Sequence, residues 1–306
     1  MRRAVALAAA LRFCLGAGSA CAADAAPVTE VAPGIFVREG VDEDVTAANG
    51  DAIANIGFIV GAAAVAVIDP GGSLEDGESL RAAVLAHTDL PIRYVVMTHG
   101  HPDHVFGGIA FESDHPVFIG HVRLPAMLSD RGTFYRHRLA AALGRERVGD
   151  FVMPTILIED RAELDLGGRI LELQAHGVAH TDGDLTVLDR KTQVLWAGDL
   201  LFVRRVPSLD GSLTGWLTEL AGMKALPATQ AVPGHGPPLV PWPDAAADEE
   251  RYLTTLGSEI RELLAKAGDI ETAVATIGQG EHDKWRLFDD YNGRNVTVAF
   301  KQLEWE

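Results

Sequence analysis

The run Thr98-His99-Gly100-His101-Pro102-Asp103-His104 sets three imidazoles and one carboxylate within six residues. Groups packed so tightly must be paired, charged or bound to a cation, and a metal relieves the conflict for all of them together. The stretch Ile92-Arg93-Tyr94-Val95-Val96-Met97 before it is β-branched and apolar, which predicts a strand. Open α/β sheets place their chemistry where a strand runs out into a loop that bears ligands. The chain is therefore expected to be an α/β protein whose sheet ends in a metal-binding loop.

One loop of this length cannot surround two cations, so further ligands are expected at later strand ends. His180 follows the apolar stretch Ile170-Leu171-Glu172-Leu173, Asp199 closes Val194-Leu195-Trp196-Ala197-Gly198, and His235 stands in Val232-Pro233-Gly234-His235-Gly236. The glycines beside His235 let backbone come close to an ion.

In order, His-x-His-x-Asp-His, then His, Asp and His resemble the ligand pattern of the metallo-β-lactamase superfamily, with all seven positions matched. The resemblance implies that His99, His101 and His180 hold a first metal. It implies that Asp103, His104 and His235 hold a second, with Asp199 bridging the two. Nitrogen and oxygen ligands without thiolate suit Zn²⁺, two per chain, and also accept iron or manganese. Further segments are similar to one branch, the quinoprotein relay system zinc metallohydrolases: Val41-Asp42-Glu43-Asp44, Ala52-Ile53-Ala54-Asn55-Ile56-Gly57-Phe58-Ile59-Val60-Gly61, Val65-Ala66-Val67-Ile68-Asp69-Pro70-Gly71-Gly72, Val206-Pro207-Ser208-Leu209-Asp210-Gly211-Ser212, Arg294-Asn295-Val296 and Leu303-Glu304-Trp305-Glu306. That branch implies a periplasmic protein associated with a pyrroloquinoline quinone dehydrogenase system.

The same resemblance implies hydrolysis. Two cations lower the pKa of a shared water toward ~7, so a bridging hydroxide attacks an ester, thioester, lactone or lactam carbonyl. Asp103 helps to orient that nucleophile, and no separate side-chain base is needed. With Asp199 as bridge the ligand set is like that of glyoxalase II. Two other classes stay open. A persulfide dioxygenase-like oxidoreductase uses one iron and only two imidazoles with one carboxylate. A non-enzymatic metal- or cofactor-binding partner of a quinoprotein needs full ligation but no turnover.

Residues 1–22 have the form of a signal peptide: Arg2 and Arg3, an apolar stretch from Ala4 to Leu11, and Ala20-Cys21-Ala22 as a cleavage site. Both cysteines, Cys14 and Cys21, fall in it, so the mature chain is expected to have neither disulfide nor thiolate ligand. Loss of Arg2, Arg3 and Arg12 moves the formal charge from −17 to −20. A balance so acidic argues against nucleic acid as a partner. It admits an anionic substrate only if the cleft has local cations, and Arg204 and Arg205, just past Asp199, are the candidates. No later stretch is apolar for the ~18 residues a membrane span requires, so the mature chain is expected to be soluble, and the hydrolase resemblance implies a small-molecule substrate.

Strands are expected at Gly34–Arg38, Ile56–Val60, Val65–Ile68, Arg93–Met97 and Val117–Ile119, then at Thr155–Ile158, Arg169–Leu173, Leu185–Leu188 and Gln193–Trp196. Ser73 is expected to cap a helix running to His87, with Leu80, Val84 and Leu85 buried, and Ser212 to cap Leu213–Lys224. Two β-rich halves with outer helices fit a four-layer αββα sandwich. One domain is expected over 23–245, with a helical extension over 246–306 packed on it. The segment Arg123–Asp150, with a helix at Thr133–Leu143, serves either as a substrate lid or as a cap on the first half. Asp69 is expected to hydrogen-bond the His99 loop, and Asp182 and Asp184 to orient His180. His121 and His137 match no ligand position but stand near the expected site.

Overall fold

Short β-branched runs with period-two alternation build the framework. The computed structural model describes residues 24–306; the expected leader, with Cys14 and Cys21, lies outside the described residues. The first sheet holds β1 (Thr29–Ala32), β2 (Ile35–Arg38), β3 (Ile56–Val60), β4 (Val65–Ile68), β5 (Ile92–Val96), β6 (Val117–His121) and β7 (Ile156–Ile158), in that spatial order. From β1 to β4 the pairing is antiparallel, and from β4 to β7 it is parallel. Parallel neighbours need crossovers. These are α1 (Leu74–His87), then α2 (Pro102–Val105) with a 3₁₀ segment Phe106–Asp114, then α3 (Leu124–Leu143) with α4 (Arg145–Val148).

The second sheet holds β8 (Arg161–Asp165), β9 (Ile170–Ala175), β10 (Leu185–Asp189), β11 (Val194–Phe202), β12 (Gln230–His235) and β13 (Val240–Pro241), ordered from β13 down to β8. Only β11 and β12 pair in parallel, and α5 (Leu213–Met223) joins them. Three helices follow: α6 (Ala247–Ala265), α7 (Ile270–Thr276) and α8 (Phe288–Leu303).

Alternation along single strands shows why there are four layers. In β4, Val65 and Val67 pack with Leu80 and Val84 of α1, while Ala66 and Ile68 face the other sheet. In β11, Val194 and Trp196 meet that inter-sheet core, and Leu195 and Ala197 pack outward with Trp216 of α5. Each sheet buries both faces, one on the other sheet and one on helices, which gives an αββα sandwich. Tyr252 and Leu253 of α6 and Val296 and Phe300 of α8 join the outer core of the second sheet.

The helix caps are where the hydroxyls predicted them. Ser73 Oγ accepts from Asp76 N at 3.2 Å and Ser212 Oγ from Gly215 N at 3.0 Å. Leu85 is a correction: it is 50 % exposed, because Ala83 and Val84 already follow Leu80 on the buried stripe and the next residue points away. The helix expected at Thr133–Leu143 extends back to Leu124, and β11 continues past Trp196 to Phe202. β1, β8 and α7 had no counterpart in the sequence reading. β1 and β8 are short and weakly apolar, with β8 mostly exposed, and α7 spans only seven residues, too few for periodicity to mark it. Among the described residues no helix is long and apolar enough to cross a membrane.

Candidate metal centre

All seven expected ligands meet at one rim of the sandwich, drawn from both sheets. Side-chain donor atoms of His99, His101, His180 and Asp199 lie within 4.8 Å of one another, as do those of Asp103, His104 and His235. The backbone of the motif explains the division. His99 and His101 lie in the bent loop that leaves β5, and it brings both imidazoles into one cluster. Pro102 then starts the single turn of α2, with its fixed φ suited to a first helical position, and swings Asp103 and His104 aside.

Asp199 stands between the groups. Its Oδ1 is 3.1 Å from His104 Nε2, and its Oδ2 is 3.3 Å from His180 Nε2, 3.4 Å from His235 Nε2 and 3.7 Å from His99 Nε2. Asp103 Oδ2 is 3.3 Å from His235 Nε2 and 3.7 Å from His104 Nε2. Asp199 lies within β11 rather than at its end. A bulge at Gly198, φ 53°, breaks the register with β12 and turns the carboxylate into the site. Gly234 serves a different purpose from the one its position suggested. A Cβ there would run into Asp199 Oδ1 and the Gly198–Asp199 backbone, so the glycine makes room for the Asp199 carboxylate.

The outward nitrogen of every imidazole is committed. His104 Nδ1 donates to Asp69 Oδ2 at 2.8 Å, His180 Nδ1 to the Ser208 carbonyl at 2.5 Å and His235 Nδ1 to the Ile53 carbonyl at 3.0 Å. His101 Nε2 donates to Asp210 Oδ2 at 3.1 Å. Thr98 Oγ1 donates to Asp69 Oδ2 at 2.8 Å, which leaves its lone pair to accept from His99 Nδ1 at 3.1 Å. These bonds fix each tautomer with a lone pair facing inward.

Those inward atoms fit a cation. His99 Nε2, His104 Nε2 and Asp199 Oδ1 are buried with no hydrogen-bond partner, and such orphans are rare in folded proteins. His101 Nδ1 and His180 Nε2 face each other at 3.0 Å with both protons placed elsewhere, an arrangement that repels unless a positive charge lies between them. Burial, with His104 nearby, pushes His99 well below its ordinary range, and burial pushes His180 down to about 3. Burial opposes protonation of His104 too, but Asp199, Asp103 and Asp69 outweigh it and draw a proton there, where a metal would supply the same positive charge.

Around this centre the structure sorts the remaining expectations. Asp69 does bond the loop, through Thr98 N at 2.7 Å as well as through Thr98 Oγ1 and His104. Asp184 does not orient His180. It accepts from Thr181 N at 2.9 Å and Thr181 Oγ1 at 2.7 Å, tying its own turn, while Ser208 takes the His180 proton. Asp182 contributes its carbonyl to Arg123. His121 and His137 lie outside both clusters. Of the two arginines, Arg205 lines the cleft, and Arg204 turns away to Glu39 and Asp42. Helix α3 contributes Tyr135, Arg138 and Leu139 to the cleft, so the inserted segment forms a wall of the site. Asp210 was missed as a partner of His101. The two are 109 residues apart, and no spacing rule connects them.

Residues 49–235 match the model of the metallo-beta-lactamase superfamily. A linear primary-alkylsulfatase of Pseudomonas sp. (strain ATCC 19151) is 23 % identical over 210 residues, covering 56 % of this chain and 39 % of that one. The beta-lactamase-like protein 2 homolog of Caenorhabditis elegans is 29 % identical over 155 residues, covering 51 % of this chain and 46 % of that one. The chain thus spans less than half the length of these curated relatives. Among solved structures, a stereoselective inverting sec-alkylsulfatase from Pseudomonas sp. superimposes with a TM-score of 0.69 at 17 % identity, over 90 % of this chain and 50 % of that one. A metallo-beta-lactamase from Pontibacter korlensis gives 0.61 at 17 % identity, over 74 % and 98 %. With the family model spanning the motif loop, His180, Asp199 and His235, the chain belongs to the metallo-β-lactamase superfamily.

Proposed function

We propose that this chain is a dinuclear zinc hydrolase of small carbonyl esters, thioesters, lactones or lactams. One observation carries the reading: the two carboxylate oxygens of Asp199 reach toward imidazoles of both clusters, as a bridge between neighbouring cations requires. His99, His101 and His180 would hold one ion, and Asp103, His104 and His235 the other. Bound there, two zinc ions would provide Lewis acidity and a hydroxide at neutral pH for attack on a carbonyl.

The protein's own contribution is placement. Asp69, through His104 and Thr98, locks imidazoles from both sides of the motif. Asp103, at the cleft wall, would accept a hydrogen bond from the nucleophile and so set its direction. The buried rim keeps bulk water from the imidazoles, since His99, His104 and His180 are at most 1 % exposed. Export to the periplasm and work beside a quinoprotein dehydrogenase extend the proposal. The leader-like residues 1–22 and the relay-type segments support them. Two of those segments touch in the fold: Asn295 accepts from Leu209 N at 2.9 Å and donates to the Pro207 carbonyl at 2.6 Å.

Elemental analysis of protein purified without added metal tests the reading. About two zinc per chain, with turnover in a screen of esters, thioesters and lactones, is the expected result. The names of the alkylsulfatase relatives add alkyl sulfate esters to that screen. One iron per chain and oxygen uptake with persulfides would replace hydrolysis with oxidation.

A further inference from the structure

The His235 loop is held by a side chain from the other half of the sandwich. Asn55 precedes β3 of the first sheet and is 2 % exposed, yet its amide reaches across to the end of β12. Nδ2 donates to the carbonyls of Pro233 at 2.9 Å, Gly236 at 3.1 Å and Pro237 at 3.3 Å. Its two hydrogens are shared among three acceptors, which lie on both sides of His235. The backbone adds a further bond, from Asn55 N to the Gly234 carbonyl at 2.7 Å. Pro237 and Pro238 follow and have no N–H with which to close the turn themselves.

The brace is itself anchored. Asn55 Oδ1 accepts from Gly40 N at 2.9 Å, which fixes the orientation of the amide. Arg38 Nη1 donates to the carbonyls of Ala52 and Ala54, each at 2.9 Å, and its Nη2 pairs with buried Asp76 at 2.7 Å. Ile53, in the same segment, supplies the carbonyl that takes the His235 Nδ1 proton. Ring and backbone of His235 are thus both set by residues 53–55. None of the Asn55 contacts reaches His99, His101 or His180.

We propose that Asn55 is a positioning residue for His235, and that occupancy of the cation site formed with Asp103 and His104 depends on its amide. Without Nδ2 three carbonyls lose their donor inside the protein and turn toward water. The loop turns with them and carries the imidazole away from Asp103 and His104, while the first cluster keeps its own partners. The proposal rests on the dinuclear reading for its second cation, but the hold on the loop is measurable without metal.

Calorimetric titration of the metal-free protein with zinc alone is the first measurement. The wild type is expected to bind about two zinc ions. Asn55→Ala should keep one tight ion and bind the other about tenfold more weakly or worse. Amide hydrogen exchange of the metal-free proteins is the second. Val203 N donates to the His235 carbonyl and Leu185 N to the Thr98 carbonyl, so these amides report on the His235 loop and on the motif loop. Exchange at Val203 should quicken about tenfold in the variant, with Leu185 unchanged. Equal acceleration at both amides means a general loss of stability and overturns the proposal, as does zinc binding like that of the wild type. A wild type that binds one zinc sinks the dinuclear reading, and the exchange contrast then decides the role of Asn55. If Asn55→Ala fails to melt cooperatively, Asn55→Leu, which fills the space of the amide without a donor, is read in the same two ways.

Discussion

Asp69 Oδ2 accepts a hydrogen bond from His104 Nδ1 at 2.8 Å, and the same oxygen accepts from Thr98 Oγ1. One buried carboxylate thereby orients ligands of both clusters, His104 directly and His99 through the threonine hydroxyl. Its own backbone is left-handed, φ 54°, a conformation that Asp and Asn tolerate better than most residues. Asp69→Asn therefore keeps the turn and removes the charge. Metal affinity should fall about 10- to 100-fold, read by competition with a chelator. Unchanged affinity would show that His104 is oriented by packing alone.

Gly234→Ala tests the bridge from the other side. Its Cβ would press on Asp199 Oδ1 and on the Asp199 amide, and backbone cannot yield as the end of a side chain can. Overpacking of this kind costs about 1–3 kcal/mol. Thermal denaturation should show that loss, and metal analysis should show less than full occupancy. A variant of wild-type stability and metal content would mean that Asp199 has room to move.

Asp210 bonds His101 Nε2 at 3.1 Å and Arg131 Nη1 at 2.8 Å, and the two contacts should differ in importance. The hydrogen bond from His101 is the main reason its carboxyl lies well below the usual range. Asp210→Ala releases the ring of His101, a candidate ligand, and should lower metal affinity by about tenfold or more. Arg131→Met breaks a pair with both partners more than a third exposed, which is worth under about 1 kcal/mol. Chelator competition and thermal melts on the two variants check the contrast.

Glu249 gives the protein a pH dependence from a group that is not itself one of the seven candidate ligands. It is fully buried beneath β11, with Oε1 accepting from Phe202 N at 3.0 Å and Oε2 without a partner. Burial raises it well above its ordinary value of 4.5. The folded state thus holds this proton more tightly than the unfolded chain. Its stabilising contribution is complete below pH 4.5 and is lost as pH rises through the folded pKa. Glu249→Gln should match the wild type in melting temperature at low pH and exceed it increasingly at higher pH. Parallel curves for the two proteins would show that Glu249 is ionised or hydrated in the fold.

Much of the frame was legible because it depends on local pattern. Val65–Ile68 and Ile56–Val60 are short apolar runs bounded by turn residues, and they are strands to the residue. Ser73 and Ser212 announce their helices because a hydroxyl at an N-cap acts over three residues. Leu85 was misplaced because a helix with Leu, Ala and Val all near one face does not fix its stripe by size alone. The roles of Arg204 and Arg205 could not be told apart from adjacent letters. Their side chains leave a left-handed turn at Arg204, φ 68°, in different directions, one to Glu39 and Asp42 and one into the cleft.

By itself, the sequence determined the donor types and their order: five imidazoles and two carboxylates, four of them in one short loop and none a thiolate. Those follow from composition and spacing, which no fold can alter. Only the tertiary structure decided the partners that fix each ligand: Asp69 for His104, Asp210 for His101, Ser208 for His180 and Ile53 for His235. Each of those pairs is brought together across sheets or loops far apart in the chain. A hydrogen bond acts over about 3 Å of space, and distance in sequence says nothing about it.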